Sequence, residues 1–188
     1  MGDAIAEAEK ANLQARNLEP DYGEAWIQAG MISLMKHESE QSIAACLEAV
    51  ELEPGNAEIH ALTAYAYIVN GEYEQARYHD QVATRLCPIR PGWYYNVSGL
   101  IEQHTGNPKK AVELFRQGIE VEPDSPLPRY FLIDIEMELG EEASARELAQ
   151  EIRQLDKSMT ARGLVHGYSY NAGERERFRA NLARFDLV

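Results

Sequence analysis

Apolar residues recur at helical spacing through residues 23–158, in pairs of amphipathic segments. Each pair is broken near its middle, at Gly71, Gly106 or Gly140 and, in the first pair, at His37. Glycine there can take the left-handed backbone conformation that ends one helix and opens a tight turn into the next. The pattern therefore predicts an all-α chain built of helical hairpins.

A proline closes each hairpin and sets a regular period along the chain. Proline cannot continue the hydrogen-bond ladder of a helix, so it ends the second helix of a pair. These prolines are Pro20, Pro54, Pro88 and Pro123, at intervals of 34, 34 and 35 residues. A constant period of this length indicates that one supersecondary unit is stacked repeatedly. The predicted units are residues 23–56, 57–90, 92–125 and 126–158.

Large and small residues recur at matching places in these units, and together they resemble the signature of the tetratricopeptide repeat (TPR) family. The first unit matches most fully, at Trp26, Gly30, Ser42, Ala49 and Pro54. The fourth departs most, because Arg129 replaces the aromatic residue, Ile133 the small residue and Lys157 the proline. The resemblance implies a right-handed superhelix of paired helices, with a degenerate last repeat and an extended surface for a partner.

The two ends of the chain lie outside the four units. Residues 3–20 resemble the second helix of a preceding repeat, so we expect the chain to be an excerpt of a longer protein; a lone capping helix is the alternative. Residues 159–171 form an irregular connector in this interpretation. Residues 172–185 form a charged amphipathic helix that is expected to cap the last repeat. Its apolar stripe consists of Phe178, Leu182 and Phe185.

Charge and composition limit the possible partners. The chain has 18 Lys and Arg against 31 Asp and Glu, a formal net charge of -13, which disfavours nucleic acid and anionic membranes. No apolar run approaches the ~18 residues of a membrane helix, and the amino terminus lacks a secretory signal. Cys46 and Cys87 form no CxxC pair, so a disulfide framework is not expected. A cytoplasmic location is the prediction.

The sequence contains no recognisable catalytic constellation. Five histidines are scattered singly, without an HExxH pair, so no metal site is expected. No phosphate-binding glycine loop is present, and no cofactor is predicted. We therefore expect a chain that is not an enzyme.

A binding groove is implied by the TPR resemblance, because the first helices of such repeats line the concave surface. Ten positions carry this prediction, and they are mostly apolar or aromatic. They are Ile27, Met31, Leu34, Tyr65, Ile68, Trp93, Asn96, Leu100, Tyr130 and Met137. Gln103 and Asp134 fall on the same helix faces. A partner's apolar segment, a second copy of the chain or the chain's own tail could cover such a stripe; alternatively, each residue could be inter-helix core.

A second resemblance concerns the third repeat and the carboxyl terminus. Pro91, Trp93 and Tyr94 open that repeat, and the segment ERERFRANLARFDLV closes the chain. Both are similar to the carboxy-terminal TPR regions of bacterial class III adenylate or guanylate cyclases and of winged-helix regulators. The resemblance implies a regulatory or assembly module of a larger bacterial signalling protein.

The function predicted from these features is a non-catalytic scaffold for protein–protein interaction, with an apolar partner segment in the groove. Self-association through the amino-terminal edge, giving a homodimer, is one alternative. Small-molecule sensing in the groove is another.

Overall fold

The computed structural model describes residues 2–155, 161, 164 and 171–188. Within this part of the chain the regular structure is helical and there is no strand, which confirms the predicted all-α class. The helices are α1 (Gly2–Leu18), α2 (Gly23–Met35), α3 (Ser39–Leu52), α4 (Ala57–Val69), α5 (Tyr73–Leu86), α6 (Gly92–His104), α7 (Pro108–Val121), α8 (Leu127–Leu139), α9 (Glu142–Leu155) and α10 (Ala172–Ala183). The connector expected at 159–171 lies outside the described residues except at positions 161, 164 and 171.

The helices form consecutive pairs, and each pair turns at a residue with a positive φ. α2 packs on α3, α4 on α5, α6 on α7 and α8 on α9. The turn residues Gly71, Gly106 and Gly140 have φ values of 80°, 82° and 81°. His37 takes the same place in the first pair, with φ of 60°, although a side chain disfavours this conformation. The breaks in the hydrophobic pattern therefore coincide with real left-handed turns.

Small residues allow the two helices of a pair to approach closely. A methyl group added to Gly30 on α2 would lie 2.6 Å from the sulfur of Cys46 and 3.1 Å from the backbone oxygen of Ser42, both on α3. At Gly99 on α6, an added methyl group would collide with the ring of Phe115 on α7. Since protein interiors are close-packed, neither site accepts a larger residue without displacement of the neighbouring side chain or helix.

The chain divides into two compact units, Met1–Pro88 (unit 1) and Ile89–Val188 (unit 2). Unit 1 contains the first two helix pairs and α1, and its core includes Ile59, Ala64 and Ile68. Unit 2 contains the other two pairs and α10, and its core is centred on the aromatic residues Phe115, Tyr130, Phe131 and Phe178. No helix in the described part of the chain combines the length and the apolar character needed to cross a membrane.

Candidate functional site

Unit 1 contains an open groove of about 580 Å³ between α1, α2 and α4, which we call the unit 1 groove. Its floor is apolar and includes Ile27 and Met31 of α2 and Leu62 of α4. The α1 wall is formed by short side chains at helical spacing. These are Ala8, Ala11 and Ala15, with Asn12 between them. Alanine is too short to reach across to α4, so the space above Met31 stays open.

Polar contacts hold α1 against α2. The side-chain amide of Asn12 donates a hydrogen bond of 2.7 Å to the backbone oxygen of Ala25. The guanidinium of Arg16 lies over the ring of Trp26, 4.6 Å from its centroid. The ammonium of Lys36 lies 2.8 Å from a carboxylate oxygen of Glu9. These contacts fix the position of the wall without filling the groove.

Negative charge lies at one end of the unit 1 groove. Among the residues that line it, only Glu24 and Glu58 are charged, and each lies in the first turn of its helix. The hydroxyl of Tyr22 donates a hydrogen bond to Glu24, and this bond raises the pKa of Tyr22. The groove therefore combines an apolar floor with an acidic end.

The predicted groove residues of unit 1 separate into two classes. Ile27 is only 2% exposed but lines the floor of the groove. Leu34 and Ile68 are buried between helices and do not line it. Met31 and Tyr65 are half-buried, and Met31 lines the groove directly. Leu34 and Ile68 thus follow the alternative in which individual positions are inter-helix core.

The corresponding residues of unit 2 are less accessible. Asn96, Leu100 and Tyr130 are buried, with Tyr130 at 0% exposure. Trp93 and Met137 are half-buried, and the ring of Trp93 meets the ring of Tyr94 edge-on at 4.4 Å between centroids. In this conformation the three buried side chains are not available to a partner.

α10 covers the face of unit 2 on which Asp134 lies. The Asp134 carboxylate, which is fully buried, accepts hydrogen bonds of 2.8 Å from the amides of Gln103 and of Asn181 on α10. The ring of Phe178 packs on that of Phe131, 6.2 Å between centroids. The stripe expected on this helix is buried, with Phe178 and Leu182 at 0% exposure and Phe185 at 4%. Of the three possible covers, the chain's own tail lies here.

Ion pairs at the margin of this contact join basic residues of α10 and the segment after it to acidic residues of α8 and α9. Arg177 lies 2.7 Å from a carboxylate oxygen of Glu138, and Arg184 lies 2.9 Å from one of Glu142. Burial raises the pKa of Glu138 and Asp134 adds to this shift, while Arg177 opposes it. α10 is therefore a charged amphipathic helix with arginines that meet an acidic rim.

A buried histidine pair in unit 1 was not predicted from the sequence. The Nδ1 atoms of His60 and His79 are 3.0 Å apart, and His60 Nε2 lies 3.1 Å from the backbone oxygen of Pro54. Since a carbonyl only accepts, His60 carries its proton on Nε2, and His79 donates from Nδ1 to His60 Nδ1. Burial lowers the pKa of both rings, that of His79 to about 4.

The repeat register contained a signal for this pair. His60 occupies the large position at which the first unit has Trp26, facing the second helix. His79 lies three residues after Ala76, which is a close-contact position, and so shares the inward face of α5. Among the described residues, no group of three or more His, Cys, Asp or Glu side chains could hold a metal ion.

Comparisons with known proteins agree with this architecture. Two family models described as tetratricopeptide repeat match residues 45–78 and 99–159. No curated protein matches the sequence.

Several solved structures are similar in fold. TTC0263, a thermophilic TPR protein in Thermus thermophilus, is 18% identical with a TM-score of 0.76, over 95% of this chain and 91% of that chain. PilW, a widely conserved type IV pilus biogenesis factor, is 17% identical with a TM-score of 0.74, over 100% of this chain and 89% of that chain. YrrB, a TPR protein with an unusual peptide-binding site, is 18% identical with a TM-score of 0.60, over 95% and 92%.

At these identities the likeness shows the fold alone, and the predicted fold class, an all-α solenoid of TPR type, is confirmed. The family-model matches coincide, except at residue 159, with parts of the region 23–158 where the 34-residue period was found. The chain is therefore built of tetratricopeptide repeats and belongs to the TPR family.

Proposed function

We propose that this chain is a non-catalytic scaffold that binds a protein partner in the unit 1 groove. The observation that carries the proposal is an open groove with an apolar floor, formed by Ile27, Met31 and Leu62, in a protein of the TPR family. TPR proteins generally mediate protein–protein interaction or assembly, and an uncovered apolar surface of this kind is typical of a binding site.

The shape of the groove supports a helix or an extended peptide as the bound segment. It is bordered by helices on both sides and is open above Met31, so a chain segment can lie along it. An amphipathic helix would place side chains at i, i+4 and i+7 on the floor. The structural relative YrrB is itself described as having an unusual peptide-binding site, which favours this class of ligand.

Self-association and small-molecule sensing are weaker candidates on these observations. Unit 1 is acidic, so two copies of it repel each other. The groove is partly open to solvent, whereas small-molecule sites usually enclose most of their ligand. A place in a cytoplasmic bacterial signalling protein of the cyclase or winged-helix class stays a prediction from sequence resemblance.

A peptide library displayed on phage tests the proposal without knowledge of the partner. Selection against the wild-type chain should enrich sequences that bind it at least tenfold more tightly than the Met31→Asp variant, because a carboxylate on the apolar floor would have to be desolvated. The measurement is the dissociation constant of each synthesised peptide by fluorescence anisotropy.

Met137→Asp is a matched control, since Met137 is also half-buried on a first helix but lies in unit 2. Binding by the selected peptides should survive this change. If selection yields only peptides that bind the wild type and Met31→Asp equally well, the groove is not the binding site and the proposal is wrong.

A further inference from the structure

We infer that the occupant of the unit 1 groove is a basic amphipathic helix of a partner protein, with an apolar stripe that no polar residue interrupts. The inference rests on the proposed function and adds the chemistry of the partner. Charge complementarity and the way α10 covers unit 2 carry it.

α10 shows which kind of segment fits a face formed by first helices of this chain. It packs on α8 with Phe178 and Leu182 completely buried, while Arg177 reaches the carboxylate of Glu138 at the edge. Apolar residues at i and i+4 thus occupy the centre of the contact, and arginines occupy the acidic margin. The unit 1 groove has the same two components, an apolar floor and an acidic end.

One repeat position distinguishes the two faces. Asp134 directly follows the small-residue position of the fourth repeat, and it receives the amide of Asn181. The equivalent residues of unit 1 are Met31 and Tyr65, because each follows Gly30 or Ala64 in the same register. Of these two, only Met31 lines the unit 1 groove, and its thioether is too weak an acceptor to replace the carboxylate that binds a buried amide.

It follows that a helix with an asparagine at the centre of its stripe is a poor ligand for the unit 1 groove. Bound with its amide against Met31, the asparagine would be desolvated beside a thioether, which is only a weak acceptor. This argues against α10 of a second copy as the occupant, since Asn181 lies between its apolar residues. An apolar residue at that place is the matching choice.

The charge of unit 1 favours a basic partner. Met1–Pro88 holds fifteen of the 31 acidic residues but only five of the 18 basic ones, which gives this unit a formal charge of -10. In the groove itself, Glu24 and Glu58 are the only charged lining residues. Basic residues on the partner would be attracted over a distance of about 10 Å at ordinary salt concentrations and would pair with these carboxylates.

Synthetic helices of about 18 residues, long enough to fold when bound, test the inference directly. The first carries leucine at i, i+4, i+7 and i+11 with lysine on its other faces. The second has glutamate in place of the lysines, and the third has asparagine in place of a central leucine. The full chain is titrated with each peptide, and the dissociation constant is measured by isothermal calorimetry at two salt concentrations.

We expect the lysine peptide to bind at least tenfold more tightly than the other two, and to weaken as salt is added. Met31→Asp and Ala11→Trp should each weaken it at least tenfold; Ala11→Trp fills the groove from the exposed α1 wall without placing a charge on the floor. Glu24→Gln combined with Glu58→Gln should weaken it severalfold. Glu113→Gln combined with Glu120→Gln removes the same charge from exposed positions on α7 and should leave it unchanged.

Each of the following results would overturn the inference. Equal binding by the glutamate or the asparagine peptide, still lost in Ala11→Trp, would refute the partner's chemistry but leave the groove as a binding site. If the lysine peptide binds the Ala11→Trp variant as tightly as the wild type, its binding is non-specific attraction to an acidic surface. No binding by the lysine peptide, or a groove-dependent dimer in sedimentation, would exclude the proposed occupant, while groove-dependent peptides from the phage library would still support the proposed function.

Discussion

In each unit the first helices of the repeats form a face, which we call the inner face. The inner face of unit 1 contains an open groove, whereas that of unit 2 is covered by a helix. In unit 1 the face on α2 and α4 is open above Met31, whereas in unit 2 the face on α8 is closed by α10. The side chains at the equivalent repeat position differ between the two faces. Met31 presents an apolar surface to the groove, while Asp134 presents a carboxylate that the amide of Asn181 satisfies. The hydrogen bond between Asn181 and Asp134 is thus one of the contacts that hold α10 on this face.

Removal of the main apolar anchor of α10 should have the largest effect. Phe178→Ala deletes a fully buried ring that packs on Phe131, and we expect the free energy of unfolding of unit 2 to fall by about 3–5 kcal/mol. Urea unfolding followed by circular dichroism measures the loss. Leu18→Ala, at a site that is 82% exposed, should change stability by less than about 0.5 kcal/mol. A loss below about 1 kcal/mol for Phe178→Ala would mean that α10 does not close this face.

The hydrogen bond between Asn181 and Asp134 can be replaced by an apolar contact, with methionine at the position equivalent to Met31. Asn181→Leu leaves the buried Asp134 carboxylate without one of its donors and should cost about 2 kcal/mol. Asp134→Met combined with Asn181→Leu removes both members of this hydrogen-bonded pair and leaves Gln103 unchanged, so the double variant should be more stable than the sum of the single variants implies. A double-mutant cycle in urea measures this coupling, which should be about 1–2 kcal/mol. If the two changes in the free energy of unfolding are strictly additive, the hydrogen bond between Asn181 and Asp134 does not help to hold α10 in place.

A lower pH should reduce the free energy of unfolding of unit 1, because its buried histidine pair becomes protonated. The pKa of His79 is lowered to about 4 in the folded chain, so the unfolded chain binds the proton more readily. The neutral His79 ring therefore contributes fully to the free energy of unfolding above the unfolded pKa of about 6.5, and this contribution is lost as the pH falls toward 4. Between pH 7 and pH 5 the free energy of unfolding should fall by about 1–2 kcal/mol. His79→Gln should lose this part of the pH dependence, which unfolding at several pH values measures. An unchanged pH profile would contradict the buried neutral pair.

Substitutions in the turns between paired helices should have the smallest effect on the free energy of unfolding, and the effect should be equal in the two units. Gly71→Ala and Gly106→Ala each place a side chain at a φ near +80°, where open space surrounds the site and only backbone strain opposes the change. We expect each to lower the free energy of unfolding by about 1 kcal/mol. Thermal melts of the two variants make the comparison, and a marked inequality would show that the turns are not equivalent.

Much of the fold could be predicted because its signals are local. The left-handed turns lie at the glycines that interrupt the hydrophobic pattern, and His37, at the equivalent break in the first pair, takes the same conformation. The small residues at Gly30 and Gly99 coincide with the close approach of paired helices. These features depend on neighbours within one period, and periodicity reports them directly.

The candidate site could be predicted only in part. Met31 was assigned to the groove and lies in it, but Leu34, Ile68, Asn96, Leu100 and Tyr130 were assigned to the same surface and are buried. Helical spacing gives the face of a helix and cannot give what lies opposite it. The wall that α1 supplies to the groove depends on how that helix rests on α2, through contacts such as Asn12 with Ala25.

The amino-acid sequence by itself determined the repeat, the helix pairs, the turns and the acidic charge of this protein. Only the tertiary structure decided that one inner face stays open, that α10 closes the other, and that His60 and His79 meet in the core. The physical reason is distance along the chain. Backbone preference acts over a few residues, whereas Asp134 and Asn181 are 47 residues apart and meet only because packing, burial and paired hydrogen bonds favour one arrangement of the whole unit.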